Sequence, residues 1–496
     1  MPQRIRRGSR NRLRLAQVVL QMALVAFCTC ALCVDTGPTM IFTLAALRPA
    51  LRLKTLVVGT ERVGRVRRQA TRSRAVALGP QETLGQSQGS RARRTRYRKR
   101  SSRIGAPDPK MLTSVLKNSA TVDILLSLID THATQFNEFH ISVSLTRLAK
   151  LARSGIHEVN FADQLQGLLE QHVVRLLPSC RGRALANILY GLGKLGHDPG
   201  EEFMGEVMTQ MLLKLPDFSP HGLANSLWAF ATLKFKPDLE VLHMIMAQTK
   251  VTLHDFNAQD LANSLWAFAK LGFKPDLELV DMIAETKAKL PDFNPQNLAN
   301  TLWAFATLEF QPDRHVLDMM VAEIIANICD FKSQELSIIL WALAKFDFKP
   351  DAEVVETMAE RRAKLPFLSA HDFSNSMWAF ATLEFQPDPK VFDMMMAGSK
   401  PKFMDFDSQQ LSNTLWSLAT LDYEPDPAVL EMMMPATKAK LTDFNAQELS
   451  NSLWAFATLE FQPDPAVLDM MMAETRAKLP EFNSQGLANS LWAFAT

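Results

Sequence analysis

Apolar and polar positions along this chain follow two superposed rhythms. Within short stretches the apolar residues recur at helical spacing, and the whole pattern returns after 37 or 38 residues. The tryptophans mark the beat: Trp228, Trp266, Trp303, Trp341, Trp378, Trp416, Trp454 and Trp492 lie 38, 37, 38, 37, 38, 38 and 38 residues apart. A period of this length is one supersecondary unit that buries its apolar side against its neighbours. The predicted fold is all-α, an α-solenoid of stacked helix-turn-helix repeats.

The unit that opens at Phe444 shows how each repeat is specified. Asn445 is a good N-cap, Glu448 at N3 completes a capping box, and Phe444 faces Leu449 as a hydrophobic staple. The same signal recurs as Phe256/Asn257/Asp260/Leu261 and as Phe406/Asp407/Gln410/Leu411, and Pro295 fills N1 after Asn294. The first helix of the unit, helix A, is expected to run to about Leu459 and stop before Pro463. Asp464 and Pro465 then open helix B, which carries Val467, Leu468, Met471 and Met472 on its apolar side and ends near Leu479-Pro480; the runs Met394–Met396 and Met470–Met472 are expected to be helix B packing. Upstream, Tyr190 stands 38 residues before Trp228, and the stretch from Phe136 to Ala149 is a weaker copy. The array is thus expected over residues 110–496, with a degenerate part in 106–200 and regular repeats in 201–496. The chain stops at Thr496 inside a helix A, which the need for a polar terminal repeat reads as truncation.

Helical phase sorts the positions of helix A. Counting from Trp, the residues at −5, −1, +2 and +3 share one arc with Trp at its edge, which places the indole in the core, with base stacking by Trp as the lesser alternative. The other arc is small and polar. It holds Asn at −3 (Asn187, Asn225, Asn263, Asn300, Asn375, Asn413, Asn451 and Asn489), a neighbouring Ser or Thr, and Thr or Lys at +4 (Thr232, Lys270, Thr307, Lys345). The unit of Trp341 departs from this, with Lys332 at the cap, Ile338 for Asn and Ile339 for Ser.

Charge divides the chain in a way that its net value of +2 conceals. Residues 1–105 carry 23 Lys+Arg against 3 Asp+Glu, and the remainder carries 31 against 49. Arg4 to Arg14 followed by the apolar stretch Leu15–Val34 make residues 1–35 a signal peptide or signal anchor. Residues 36–105 are rich in Arg, Ser, Thr and Ala and have the composition of a transit segment. Signal followed by transit resembles the bipartite presequence of plastids bounded by extra membranes, with a mitochondrial address as the alternative. A membrane anchor with a basic tail, or an RNA-gripping arm at Arg91–Arg103, would use the same residues. The five cysteines form no disulfide framework, and Cys180 and Cys329 are expected to pack as small hydrophobes in helices.

The motif F-N-x-Q-x-L-A-N-S-L-W-A-F-A-x-L, with Pro-Asp opening the second helix, resembles the octotricopeptide-repeat family of organellar RNA-binding proteins, relatives of proteins carrying a RAP domain. The resemblance covers the repeat array. It implies selective binding of single-stranded organelle RNA, serving stability, processing, splicing or translation of chloroplast or mitochondrial transcripts. The RAP domain found on many members is not in this sequence.

Two readings of the Asn stripe follow. It resembles the base-reading stripe of helical-repeat RNA binders, where two or three side chains address one base, and an amide that both donates and accepts suits that role. Alternatively it is an inter-repeat ladder, which the constancy of Asn favours. Candidate RNA contacts are Asn225, Asn263, Lys270, Asn300, Lys345, Asn375, Asn413, Asn451 and Asn489. A basic edge at the C-terminal ends of the B helices adds Lys287, Arg362, Lys400, Lys438 and Arg476 for phosphates. Their neighbours Lys289, Lys364 and Lys478 follow Glu285, Glu360 and Glu474 by four residues and are expected to close helical ion pairs. No nucleophile-base cluster, phosphate loop or metal spacing is present, so no catalytic residue, metal, cofactor or small-molecule substrate is expected. Partners would be single-stranded RNA, with processing or translation proteins beside it. The competing reading is a protein-binding scaffold, for which the acidic body and Met-rich B helices would be natural.

Overall fold

A computed structural model describes residues 108–152, 161–274, 276–365, 369–423 and 427–495. The signal and transit segments expected in residues 1–105 lie outside the described residues. Every described element is helical. Among the described residues no helix is long and apolar enough to cross a membrane.

Two short helices, Pro109–Lys117 and Val122–His132, precede the repeats. The A helices are Glu138–Ala152, Gly182–Leu195, Pro220–Leu233, Ala258–Leu271, Pro295–Thr307, Ser333–Lys345, Ala370–Thr382, Ser408–Thr420, Ala446–Thr458 and Ser484–Ala495. Between them run the B helices Phe161–Leu168, Glu201–Leu213, Leu239–Thr252, Asp276–Ala288, Arg314–Ala326, Ala352–Ala363, Pro389–Ser399, Pro427–Lys440 and Pro465–Ala477. Each A helix packs on the A helices before and after it, and this layer holds most of the close backbone approaches; successive B helices approach far less. The α-solenoid expected from the period is therefore the fold, with the A layer as its spine.

Local chemistry explains the boundaries. The Asn445 side chain accepts from the Glu448 N–H at 2.9 Å, and Glu448 accepts from the Asn445 N–H at 3.0 Å, closing the capping box. Phe444 and Leu449 are fully buried. In the unit of Trp341, where Lys332 cannot cap, Glu335 still accepts from the Lys332 N–H at 2.9 Å. At the other end, Phe461 N–H bonds the Phe456 carbonyl at 3.0 Å while Glu460 takes a left-handed φ of 52°, a Schellman turn that repeats through the array.

One element was not expected. After helix B a Leu-Pro-Asp or Leu-Pro-Glu segment winds into a 3-10 turn, such as Leu290–Asp292 or Leu479–Glu481, before the next cap. The turn is held across units by a lysine. Lys478 Nζ donates to the Thr442 and Phe444 carbonyls of the preceding unit at 2.7 and 2.6 Å, and Lys289 Nζ does the same to His254 and Phe256 at 2.6 and 2.5 Å.

The core is built from the expected arc: Leu223, Leu227 and Phe230, and their counterparts Leu261, Leu265 and Phe268, are fully buried. Small residues let the A helices approach, and Ser226, Ser264, Thr301, Ser376, Thr414, Ser452 and Ser490 at −2 are all at 0 % exposure. Two expectations need correction. Cys180 is buried, but Cys329 is exposed at the middle position of the 3-10 turn Ile328–Asp330, the position at which Pro216 and Pro291 are exposed in the equivalent turns. In the methionine runs Met395 and Met471 are buried as expected, whereas Met394 is exposed because three consecutive helical positions cannot share one face.

Candidate nucleic-acid interface

The A layer presents one continuous polar-aromatic lane. On each regular A helix the positions −7, −3, 0 and +4 relative to Trp fall on one strip, since residues four and seven apart are stacked along a helix face. In the Ala258–Leu271 helix these are Gln259, Asn263, Trp266 and Lys270; in Ala446–Thr458 they are Gln447, Asn451, Trp454 and Thr458. The glutamines are exposed, the asparagines half-buried, and the indoles half-buried with one side packed on the core. Trp492 is 46 % exposed. The indole is thus neither wholly core nor free: it lies beside the Asn strip that helical phase had put on the other arc.

The rings of neighbouring units approach one another along the lane. Tyr190 and Trp228 have centroids 5.3 Å apart, and Trp266 and Trp303 6.5 Å apart. Lysines at +4 stand over these rings, with Lys194 Nζ 4.4 Å from Trp228, Lys270 Nζ 4.9 Å from Trp303 and Lys345 Nζ 6.0 Å from Trp341.

The asparagines do not form an inter-repeat ladder. Among the described residues the side-chain amides of Asn263, Asn300, Asn413, Asn451 and Asn489 make no hydrogen bond within the chain, and they face the lane half-exposed. The ladder is made one position away, at −4. Ser337, Ser412 and Ser450 donate to the Asp372, Glu448 and Gly486 carbonyls of the next A helix at 2.8, 3.1 and 3.1 Å. Two units hold their Asn differently. The Asp260 carboxylate can only accept, so His221 Nδ1 donates to it at 2.9 Å, and His221 Nε2 accepts from the Asn225 amide at 3.0 Å. Asn225 is withdrawn to 6 % exposure beneath that ring. Asn375 lies 3.4 Å from His371 Nε2 and stays half-exposed.

The basic edge is partly as expected. Lys287, Lys438 and Arg476 are exposed, and none closes an ion pair among the described residues. Their neighbours do: Lys289–Glu285 at 3.2 Å, Lys364–Glu360 at 2.9 Å and Lys478–Glu474 at 3.2 Å. The side chain of Lys400 lies outside the described residues. Arg362 does not belong to the edge. It is at 0 % exposure, its Nε donates to Ser376 Oγ at 2.5 Å, its Nη1 to Ser333 Oγ, and its Nη2 has no partner. Burial pulls its guanidinium down to about 10, against the opposing pull of Asp372. Asp372 is held below the usual carboxylate range: burial works against ionisation, but hydrogen bonds with His371 and Ser369 and the charges of Arg362 and His371 prevail. The physical reason is register. On the helix Ala352–Ala363 the buried residues are Val355, Met358, Ala359 and Arg362, and the arginine lies seven, four and three positions beyond the others on the same face.

Sequence reasoning missed the glutamines at −7. Gln259, Gln296, Gln334, Gln409, Gln447 and Gln485 recur in the text and are exposed. Their signal was the four-residue spacing to Asn, obscured by their place inside the capping segment.

Residues 180–426 match the family model of the RNA-editing substrate-binding complex 6 protein. Residues 367–490 match that of the C-terminal domain of the Tbc2 translation factor. No curated protein matches the chain. The two matches together cover residues 180–490, from the unit of Tyr190 into the last A helix, and both families are named for work on RNA or in translation.

Proposed function

We propose that this protein binds single-stranded organelle RNA along the lane of stacked A helices and acts in post-transcriptional control of organelle transcripts, as an octotricopeptide-type repeat protein and not as an enzyme. The observation that carries this reading is the recurrence, unit after unit, of an uncommitted amide beside a half-exposed indole. Unpaired bases offer a π-face for stacking and edges for hydrogen bonding, and this pairing of side chains meets both needs. The names of the two matching families support it. The basic leader supports delivery to a plastid, with the mitochondrion as the alternative address.

A second reading has its own observation. Met244, Met394 and Met432 are 44–48 % exposed on B helices, which suits a protein partner on that layer. One experiment separates the two. Fluorescence anisotropy of the full chain with a labelled single-stranded RNA of mixed sequence should show binding that duplex RNA of the same length does not compete. Replacing Asn263, Asn300 and Asn451 together by Ala should weaken it by about tenfold or more, since each good amide–base contact is worth roughly 1–3 kcal/mol. No binding by the unaltered chain, or equal binding by the triple variant, would leave the scaffold reading in its place.

A further inference from the structure

The lane changes chemistry along its length. In its earlier part, clefts combine an aromatic ring with lysines. Lys150 and Lys194 flank Tyr190 around a cavity of about 80 Å³, and Lys234, Lys236 and Lys270 flank Trp266 around one of about 740 Å³. None of these five lysines closes an ion pair among the described residues. Lys194 Nζ lies 5.1 Å from the Tyr190 ring and 4.4 Å from Trp228, so a cation already occupies the ring face.

Among the described residues the later part is different. A cleft of about 520 Å³ runs between Trp378 and Trp416 and past the amides of Asn413, Asn451, Gln447 and Asn489, with no cation in its lining. The +4 positions there are Thr382, Thr420 and Thr458. The left-handed residue after the A helix changes in the same sense: Gly196, Lys234 and Gly272 come first, then Glu309, Asp347, Glu384, Asp422 and Glu460, of which Glu309 and Glu384 pair with Lys274 and Lys349. A phosphate would be drawn to the first stretch and repelled by the second.

We propose that the lane has two zones: the lysine–aromatic clefts around Tyr190, Trp228 and Trp266 hold the phosphates of a single strand, and the cation-free amide cleft from Trp378 to Asn489 reads base edges. This rests on the RNA-binding reading above. In the first zone a base that stacks on the ring displaces the ammonium, which then meets the adjoining phosphate as a point charge. In the second, acidic helix ends turn the backbone outward and leave the bases to face amides that both donate and accept.

The test uses the full chain, a labelled single-stranded RNA of mixed sequence and a panel differing in single bases, with affinity followed from about 50 to 200 mM salt. Lys194→Gln/Lys234→Gln/Lys270→Gln should flatten the logarithmic salt slope by about 2, since each single-strand phosphate contributes about 0.7. The unaltered chain should therefore lose roughly 20-fold more affinity across that range than the variant, with base preference unchanged. The matching Lys→Arg variant should restore the slope. Asn413→Ala/Asn451→Ala/Asn489→Ala should erase base preference and leave the slope as it was. A lysine variant with the original slope overturns the division into zones. So does an asparagine variant that flattens the slope, or one that keeps the preference. If the unaltered chain binds no RNA at the lowest salt, the proposed function itself fails, a result distinct from binding with the zones exchanged.

Discussion

Arg362 is the residue at which this repeat departs furthest from its neighbours. It places a guanidinium where other units bury threonine, satisfies two of its nitrogens with serine hydroxyls and leaves Nη2 without a partner. A buried cation with incomplete partners costs stability that an apolar side chain of similar volume does not. Arg362→Met should therefore raise the urea midpoint of the helices Ser333–Lys345 and Ala370–Thr382, by about 1–4 kcal/mol in local opening free energy measured by hydrogen exchange. A fall in protection of those helices would show that the arginine supports them. Asp372 gives a second readout. Its folded pKa is depressed, so its stabilisation is present above the unfolded value and lost as pH falls through the folded one. Without the Arg362 charge that acid-side loss should become shallower.

At the scale of one helix and its turns, much was written locally. The Asn445/Glu448 box, the Phe444 staple and the Asp464-Pro465 start of helix B are all specified by residues within a few positions of where they act, and the structure keeps each of them. What sequence could not show was action at a distance of one unit. Lys478 was legible as a partner of Glu474, but its two carbonyl acceptors belong to residues 34 and 36 positions away. Removing that lysine orphans carbonyls of the preceding 3-10 turn, so Lys478→Met should cost about 1–3 kcal/mol and expose the amides of residues 441–445 to exchange first. An unchanged midpoint would mean solvent replaces the ammonium there. Arg362 was misplaced for a related reason. Counting back from Trp378 put it beside Lys287, whereas within the helix Ala352–Ala363 it falls on the face that buries Val355, Met358 and Ala359. The left-handed ends suggest a gain. Glu460, with φ 52°, accepts a strain that glycine would not, and Glu460→Gly should stabilise its unit by about 0.5–1 kcal/mol in thermal unfolding.

For the array as a whole, contacts run from each A helix to the one before and the one after, so stability accumulates from units and their interfaces and not from one shared core. This makes a repeat removable in a way that a part of a globular core is not. Deleting residues 276–312 takes out the second helix of the Trp266 unit together with helix A of Trp303, and joins Pro275 directly to Asp313. The Pro-Asp start of helix B is then preserved, and the Ser333–Lys345 helix meets Ala258–Leu271 through the same −2, −4, Leu and Phe positions used elsewhere. Mean residue ellipticity should stay the same and the thermal transition should remain cooperative. Deleting residues 276–292 alone removes one B helix, leaves the next A helix no way to turn back into the layer, and should lower both helicity and midpoint. If each unit addresses one base, the whole-unit deletion should also shorten the RNA length needed for full affinity by about one nucleotide. A footprint that does not shorten, in a chain that keeps its helicity, would mean that RNA length is set by something other than the count of A helices.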